Sequence, residues 1–584
     1  MNRRVTYLVG LILLVGAVVV LAVVLRQEEP APTPVADGAD VTETATAAAT
    51  PTAEPTSTAT APAPTATATV TTATATAPAP TETATPAAEE AAYEPAFEPA
   101  ACQFEVPGGR EVECGYLIVP EDRENLDDGD TVRLHVAVFA SESETPESAP
   151  IVYLAGGPGG DALETVPFVF ESRFAPFLEN GELIMFDQRG TGYSEPSLAC
   201  PEYTELSLEL LDDVLTPQEA VDVYLEALAA CHERLEAEGV DFTAYNSAAS
   251  AADVRDLRQA LGYEEINLFG VSYGTRLAQT IVRDFPEGIR SVTLDSAYPI
   301  AANIVLETPA NLARALNVFF EGCAADTACQ NAYPDLEDRF WELVEATDEE
   351  PITVPVQYAF TGEQYDAALV GDDLIGVLFQ GLYSAEIIPV LPQVISDTIG
   401  GDYGLLGTLL SNFLLNNEFS SVGMQFSVQC HEEIVFAEPA QAEAAVEAYP
   451  RLEDFFVSSA SVGRAAFDVC AMWEAGQAPP LEEEAVSSDL PTLILAGEYD
   501  PITPPSWGES VAAGFSNSMF FTFPGLGHGV SLDGGCPLSV MLAFLDDPTT
   551  APDGACVETM AGPNFRVPGE AVAEVSLEPF TTDI

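Results

Sequence analysis

A serine flanked by two glycines has the local sequence of a nucleophile. Ser272 lies in Gly270-Val271-Ser272-Tyr273-Gly274, directly after the apolar run Ile266–Phe269 and before a helical segment that begins at Arg276. A sharp turn between a strand and a helix exposes such a serine, and glycines leave room for the close backbone approach that the turn needs. The context predicts acyl transfer with the serine hydroxyl as the attacking group.

A serine nucleophile needs a base, and the chain has four histidines. His135 alternates within a predicted strand, His232 lies in a charged helix, and His431 neighbours a cysteine. His528 stands in the loop Phe523-Pro-Gly-Leu-Gly-His-Gly, after the last predicted strand. The chain order Ser, Asp, His is found in one large class of serine hydrolases, and only His528 fits its last place. We therefore predict His528 as the base.

The acid that orients this base should follow a strand upstream of His528. Asp500 lies in the turn after the predicted strand Thr492–Ala496, and we prefer it for the acid. Asp295, at the end of another predicted strand, and Glu498 are the alternatives.

An oxyanion hole needs two backbone N–H donors near the serine. The residue after the nucleophile, Tyr273, supplies one donor, and the glycine-rich loop at 155–160 supplies the other. Pro158 has no N–H, so Gly156 or Gly157 must donate, and we choose Gly157.

The elements that must position these residues alternate between β and α. Short apolar runs predict strands at 112–119, 132–139, 151–154, 183–186, 266–269, 292–294, 492–496 and 519–523. Between them lie helices such as 251–261, for which Ser250 and Asp253 predict a capping box at the start and Gly262 predicts the end. The pattern predicts a doubly wound, mostly parallel α/β sheet, built from 101–298 and 486–584. The helix-rich stretch 299–485 interrupts it and predicts an inserted helical lid domain.

Charge excludes nucleic acid as a partner. The chain has 19 basic residues, all arginine, against 93 acidic ones, a formal net charge of −74. Nucleic-acid affinity depends on Lys and Arg contacts to phosphates, so such a surface repels it. The absence of lysine also excludes Schiff-base chemistry and Ser–Lys dyads.

The amino terminus predicts export. Arg3 and Arg4 precede an uncharged apolar run from Val5 to Leu25, long enough to span a bilayer. We favour an uncleaved signal anchor over 1–29, followed by an Ala/Thr/Pro-rich disordered stalk over 30–100; a cleaved signal is the alternative. Either places the enzyme outside the cytoplasm, at the outer face of the cell membrane or secreted. There the ten cysteines can form five disulfides, whose pairing the sequence leaves open.

Four motifs in order carry a family resemblance: Gly156-Gly157-Pro158-Gly159-Gly160, Phe186-Asp-Gln-Arg-Gly-Thr-Gly-Tyr-Ser194, the serine turn, and Gly525-Leu-Gly-His-Gly529. Together they resemble the α/β-hydrolase serine peptidases of the prolyl and tripeptidyl aminopeptidase type, over roughly 100–584, with a TAP-like C-terminal part. Ala155 stands where prolyl aminopeptidases have a histidine.

The resemblance implies an exopeptidase of the α/β-hydrolase fold, with Ser272, Asp500 and His528 as its triad and peptides as substrates. It also implies lid carboxylates that hold the substrate's ammonium group, for which Glu432 and Glu433 are candidates. Asp187 and Arg189 match the family's Asp-Gln-Arg-Gly motif, and we interpret them as a structural ion pair. No metal or organic cofactor is implied. A broad-specificity serine esterase or amidase is the alternative function.

Overall fold

The computed structural model describes residues 93–569 except positions 124, 127–128, 147 and 180, and it leaves the side chains of 415–417 and 458 undescribed. All described residues belong to the unit Glu89–Ile584. The predicted signal anchor, 1–29, and the predicted stalk up to residue 92 lie outside them, so both stay predictions. Within the described part of the chain, no helix combines the length and apolar character needed to cross a membrane.

The described strands form one large sheet and one hairpin. They are β1 (Ala96–Pro99), β2 (Val112–Pro120), β3 (Thr131–Phe139), β4 (Ile151–Leu154), β5 (Leu183–Phe186), β6 (Ile266–Val271), β7 (Ile289–Asp295), β8 (Ile352–Tyr358), β9 (Glu363–Leu369), β10 (Thr492–Gly497) and β11 (Ser518–Phe523). The large sheet has the order β1-β2-β3-β5-β4-β6-β7-β10-β11. Six neighbouring strands of this sheet run parallel, namely β5, β4, β6, β7, β10 and β11. Strands β1, β2 and β3 extend the sheet in antiparallel pairs. The predicted fold class is confirmed, and all eight predicted strands are present.

Helices cover both faces of this sheet and build the insertion. They are α1 (Val166–Val169), α2 (Pro201–Glu209), α3 (Pro217–Glu238), α4 (Ser247–Leu261), α5 (Tyr273–Asp284), α6 (Ile304–Ala325), α7 (Thr327–Ala332), α8 (Leu336–Glu349), α9 (Gly371–Gly381), α10 (Leu391–Ile399), α11 (Gly404–Asn416), α12 (Val422–Glu432), α13 (Pro439–Glu447), α14 (Glu453–Ser458), α15 (Ala466–Trp473), α16 (Pro505–Gly514) and α17 (Gly535–Asp546). Short 3-10 turns complete the loops, among them Val530–Asp533.

The predicted stalk extends too far, because residues before position 100 form strand β1. Ala96–Pro99 pairs antiparallel with β2, with Phe97 opposite Leu117. Its residues are mostly exposed, so this strand has neither the continuous apolar run nor the alternation by which a strand is predicted. The folded unit therefore begins before Ala96.

Helix α4 also begins earlier than the sequence predicts. The side chain of Asn246 accepts from the Ala249 N–H and caps the helix, so the predicted capping box of Ser250 and Asp253 is wrong. Both of those residues are buried inside the helix, and Asp253 binds two arginines there. The predicted end at Gly262 is present, with a φ of 79°.

The insertion builds most of a third hydrophobic core, which residues of the C-terminal part such as Trp507 complete. Residues from α6, α8, α9 and α10 meet in it, including Phe319, Phe340 and Leu391, separately from the two cores on the faces of the large sheet. The insertion also holds the antiparallel hairpin β8–β9, which the prediction of a helical domain did not include. In β8 the buried Val354, Val356 and Tyr358 alternate with exposed residues, which is the pattern of a half-buried strand.

Every cysteine is in a disulfide. The pairs are Cys102–Cys114, Cys200–Cys231, Cys323–Cys329, Cys430–Cys470 and Cys536–Cys556, so each cysteine binds its nearest cysteine neighbour along the chain.

Candidate active site

Ser272 occupies a strained turn between β6 and α5. Its φ of 56° lies in the left-handed region, which non-glycine residues rarely adopt and which is often found at functional sites. A Cβ at Gly274 would collide with the Leu154 carbonyl at the end of β4, and one at Gly270 with the Gly274 carbonyl. Both glycines are therefore required, because they let the turn lie against the neighbouring strand.

The register of three parallel strands brings the other site loops to this turn. Val271, the last residue of β6, pairs with Asp295 of β7, and Asp295 pairs with Leu495 of β10. The carboxyl ends of the three strands are therefore level. Ligand sites of open α/β sheets lie at this edge.

Asp500 and His528 form a hydrogen-bonded pair. His528 Nδ1 lies 2.8 Å from Asp500 Oδ2, and both side chains are almost completely buried. Thr503 supports the carboxylate, since its N–H donates to Asp500 Oδ1 over 2.8 Å and its hydroxyl to Oδ2 over 2.7 Å. Burial by itself would raise the pKa of Asp500, but His528 and these donors hold it below its ordinary value. The carboxylate therefore stays ionised and fixes the imidazole.

The two alternative acids bind backbone instead. Asp295 accepts from the N–H groups of Val530, at 3.0 Å, and Ser531, at 2.7 Å, so it holds the loop that follows His528. Its backbone carbonyl accepts from the Ser272 N–H over 3.0 Å. Burial raises the pKa of the Asp295 carboxyl to about 6, against the hydrogen bonds from Ser531. Glu498 accepts from the Gly525 N–H over 2.9 Å.

The other three histidines lie elsewhere. His135 is buried in β3 and accepts from the Gln103 N–H. The His232 ring stacks on Phe242, and His431 Nδ1 lies 2.7 Å from the Ala475 carbonyl. The surroundings of these three histidines therefore agree with the choice of His528 as the base.

Gly157 and Ser272 line the same cavity, which has a volume of about 550 Å³. Tyr273 begins α5 directly behind the serine, so its N–H belongs to the first turn of that helix. The insertion fixes the glycine loop, because the Ser421 N–H donates to the Gly159 carbonyl over 2.8 Å and the Asp161 N–H to the Phe419 carbonyl over 3.0 Å. The predicted oxyanion loop is thus joined to the start of α12.

The insertion also contacts the His528 loop directly. The Tyr383 ring packs on the His528 ring with centroids 4.9 Å apart, and the His528 N–H donates to the Tyr383 carbonyl over 2.8 Å. A Cβ at Gly527 would collide with the carbonyls of Leu382 and Tyr383, so glycine is required here for this close approach. Segments 372–383 and 420–429 of the insertion supply much of the cavity wall.

Neither predicted amine-binding carboxylate is among the residues that line the cavity. Glu432 is buried between elements of the sheet region, where its Oε2 accepts from the Ser247 hydroxyl over 2.7 Å and faces Arg276 Nε at 3.4 Å. Burial raises the pKa of Glu432 in spite of that arginine. Through these contacts Glu432 holds α12 against α4 and α5, and they contradict an amine-binding role for it.

Glu433 lies directly behind the cavity wall. Its Oε2 accepts from the Tyr298 hydroxyl and, over 3.2 Å, from the Ile304 N–H, and both of those residues line the cavity. Its Oε1 is buried and has no hydrogen-bond partner among the residues that the structure describes. Gln429, one helical turn earlier, lines the cavity, so Glu433 continues that face of α12.

The predicted ion pair between Asp187 and Arg189 is wrong. Arg189 binds the Asp253 carboxylate through Nε at 2.7 Å and Nη2 at 2.8 Å, and this pair ties the sheet to α4. Asp187 instead accepts from the N–H groups of Leu163 and Tyr193, at 2.9 and 2.8 Å. Each of the two side chains therefore has partners of its own, and they do not pair with one another.

Comparison with known proteins agrees with this geometry. Residues 149–346 match the family described as alpha/beta hydrolase fold, and residues 457–556 match the family described as TAP-like protein. The chain is a serine hydrolase of the α/β-hydrolase fold with a TAP-like C-terminal region. The first match contains the serine turn and the second contains both Asp500 and His528, so the predicted family resemblance is confirmed.

Named relatives of this hydrolase include peptidases and an esterase. Serine protease Hip1 of Mycobacterium tuberculosis is 26% identical over 78% of this chain and 88% of its own length. Carboxylesterase B of the same species is 25% identical over 76% of this chain and 86% of its own length. Tripeptidyl aminopeptidase of Streptomyces coelicolor is 29% identical over 34% of this chain and 37% of its own length.

Sequence reasoning missed residues that support the site from outside the motifs. Thr503 follows Asp500 by three residues, a spacing at which a side chain and an N–H can turn back onto a carboxylate, and this signal could have found it. Tyr383 and Gln429 lie outside the sequence motifs that predict the site. The fold of the insertion alone brings them to the cavity.

Proposed function

We propose that this hydrolase is an extracytoplasmic serine exopeptidase that releases short peptides or amino acids from the free N-termini of peptides. One observation carries the proposal: the hydrogen-bonded Asp500–His528 pair and Ser272 meet at one sheet edge, beneath an insertion that closes over them. A serine protease and a tripeptidyl aminopeptidase among the relatives support peptide substrates.

In the proposed acylation step, Ser272 Oγ attacks the scissile carbonyl carbon while its proton passes to His528 Nε2. Asp500 stabilises the resulting imidazolium through Nδ1. The N–H groups of Gly157 and Tyr273 bind the oxyanion. The C–N bond then breaks, and the leaving amine takes the proton from His528.

Deacylation repeats these steps with water. His528 takes one proton from the water molecule, whose oxygen attacks the acyl carbon of the Ser272 ester. The C–O bond to Oγ breaks as His528 returns that proton to the serine. The products are a carboxylic acid and the free enzyme, and the residues named supply every proton transfer without a metal or an organic cofactor.

Glu433 is the side chain that we propose to hold the substrate's ammonium group. Its Oε1 is buried without a partner in the described structure, and such an oxygen gains a strong, charge-assisted hydrogen bond when an ammonium donates to it. Glu432 is the matched control, because its oxygens already bind Ser247 and Arg276.

A location outside the cytoplasm is supported by two features. The basic and apolar residues 3–25 have the composition of a membrane anchor or an export signal. All ten cysteines form disulfides, and these persist in oxidising compartments.

A panel of fluorogenic amides tests the proposed activity. Aminoacyl, dipeptidyl and tripeptidyl amides should each be offered with a free and with an acetylated N-terminus. We expect hydrolysis of at least one free amide, and a kcat/KM about 100-fold lower for its acetylated form, because a buried carboxylate then loses its donor. Equal rates on free and blocked amides would contradict exopeptidase activity.

An esterase is the second candidate, favoured by the apolar part of the cavity wall. Leu211, Val356, Leu369, Phe413 and Phe455 lie there, and such a wall suits an apolar acyl chain. The kinship with carboxylesterase B points the same way. Rapid hydrolysis of simple esters, with no turnover of any amide in the panel, would establish this alternative.

A further inference from the structure

The wall of the catalytic cavity that α9 supplies carries two carboxylates. Asp372 and Asp373, in the first turn of α9, line the same cavity as Ser272. The chain contains no lysine, and no arginine is among the residues that line the cavity in the described structure. This wall is therefore negatively charged.

The charges around these two carboxylates repel one another. Burial raises the pKa of Asp372 to about 7, and the charges of Asp454, Asp348 and Asp373 add to this effect. Burial is the main cause that raises the pKa of Asp373 to about 6, and Asp348 adds to it. A cation beside these groups would relieve the repulsion that they exert on one another.

The same cavity contains hydrogen-bond acceptors without donors. Gln429 is only 2% exposed and lines the cavity, yet its Oε1 has no hydrogen-bond partner among the described residues. Gln380, two turns beyond Asp373 on α9, likewise lines the cavity with an Oε1 that lacks a described partner. Buried acceptors of this kind are rare in native structures and call for a ligand that donates.

Two tyrosine rings complete this part of the wall. Tyr203 and Tyr224 line the cavity with their ring centroids 5.1 Å apart, and Tyr224 is close enough to Asp373 for that carboxylate to act on its pKa. Aromatic faces attract organic cations. Carboxylates, amide oxygens and aromatic rings together suit a group that only donates, and the guanidinium of arginine and the ammonium of lysine are such groups.

We infer that Asp372 and Asp373 form a subsite that selects peptides with a basic side chain near the scissile bond. The inference rests on the proposed function, since it assigns a specificity to the same cavity. Tyr383, which contacts His528, lies ten positions after Asp373 along a mostly helical segment, so the carboxylates lie about 15 Å from the residue that contacts the base. An extended peptide advances about 3.4 Å per residue, so a long basic side chain two or three residues from the scissile bond would reach them.

Paired substrates that differ only in charge test the subsite. Tripeptidyl amides built on Ala-Ala-Ala, free and acetylated, should carry arginine or its neutral isostere citrulline at each position in turn. We expect the arginine form to have a kcat/KM about tenfold or more above the citrulline form at the second or third residue from the bond, mainly through KM. The preference should persist at high salt, which screens the acidic surface more than a half-buried pair.

Variants assign that preference to the two carboxylates. In the Asp372→Asn/Asp373→Asn double variant, the ratio of arginine to citrulline rates should fall to about one. Asp366→Asn removes the same charge from an exposed position next to the cavity residue Ala367 and should leave the ratio unchanged. A wild-type ratio of one at every position, a ratio that the double variant retains, or a charge effect that follows the free N-terminus alone would each overturn the subsite.

The comparison separates this inference from the proposed function. If the Ala-Ala-Ala amides are cleaved but arginine gives no advantage, the subsite is wrong and the exopeptidase stands. If no amide is cleaved, the proposed function fails, and the ratio measured on esters of the same arginine and citrulline peptides decides the subsite.

Discussion

The sheet edge and the insertion contribute to one cavity in different ways. Ser272, Asp500 and His528 follow three strands whose ends are held level by sheet hydrogen bonds, and glycines at 270, 274 and 527 fit backbone against backbone with no room for a side chain. The insertion builds most of a separate core and reaches the cavity through Tyr383, Gln429 and the acidic start of α9. The first region positions the reacting groups, with Asp500 and His528 at hydrogen-bond distance, and the second supplies surfaces that a substrate would contact.

Chemistry and substrate selectivity should therefore depend on different regions of the molecule. A substitution at the sheet edge should lower the turnover of every substrate. A substitution in the insertion should instead lower kcat/KM for some substrates and not for others.

Ser272→Ala should abolish turnover of amides and esters alike. Loss of a triad nucleophile lowers kcat by about 10⁶, and because the substitution removes only the hydroxyl oxygen, we expect the fold to be retained. Steady-state kinetics and a thermal unfolding curve would show both. Activity above a few per cent of wild type would show that another group attacks the substrate.

Asp500→Asn should lower kcat by roughly 10⁴ on every substrate, because the imidazole loses its orienting carboxylate. Asp295→Asn keeps one acceptor oxygen for the His528 loop, and we expect a loss of only about tenfold, as for one weakened buried hydrogen bond. The two variants should be assayed side by side on an ester and an amide. The reverse ranking would move the acid to Asp295.

Glu433→Gln should discriminate between substrates. We expect kcat/KM for free peptides to fall about 100-fold and that for acetylated peptides or simple esters to change little, because only the former donate to Oε1. In Glu432→Gln, any loss should be equal on all substrates, since this side chain only packs α12 against the sheet region. A uniform loss in Glu433→Gln would return that residue to a structural role.

Thermal stability should fall as pH rises from 5 to 8. Burial raises the pKa of Asp187 to about 7 and that of Asp295 to about 6, from about 3.9 in an unfolded chain. The stability that these groups contribute is therefore fully present below about pH 4 and is lost as pH rises through 6 and 7. Asp500, with a lowered pKa, acts in the opposite sense only at lower pH.

Scanning calorimetry between pH 4.5 and 8 would measure this, with Tm expected to drop by several degrees. The exposed Asp366→Asn variant should follow the same curve. A Tm that rises over this interval would contradict the prediction that folding raises the pKa values of Asp187 and Asp295.

The sheet edge was predictable from sequence, and the insertion largely was not. The serine turn, the His528 loop and eight strands have local signals, since glycine spacing and continuous apolar runs follow from backbone geometry. Glu432 shows the limit: its sequence neighbours could not reveal that Arg276 and Ser247, far away in the chain, occupy its oxygens. Nor could they reveal that Asp187 and Arg189 find separate partners.

The disulfides have a consequence for how this chain acquires its covalent form. The ten cysteines pair consecutively along the chain, the first with the second, the third with the fourth and so on, with separations of 6 to 40 residues. When the chain emerges from its amino terminus onward, the correct partner is thus always the next thiol to appear, and pairing in order of appearance yields the native set. Oxidation can keep pace with synthesis and needs little reshuffling of mismatched bonds, the slow step in the maturation of many cysteine-rich proteins.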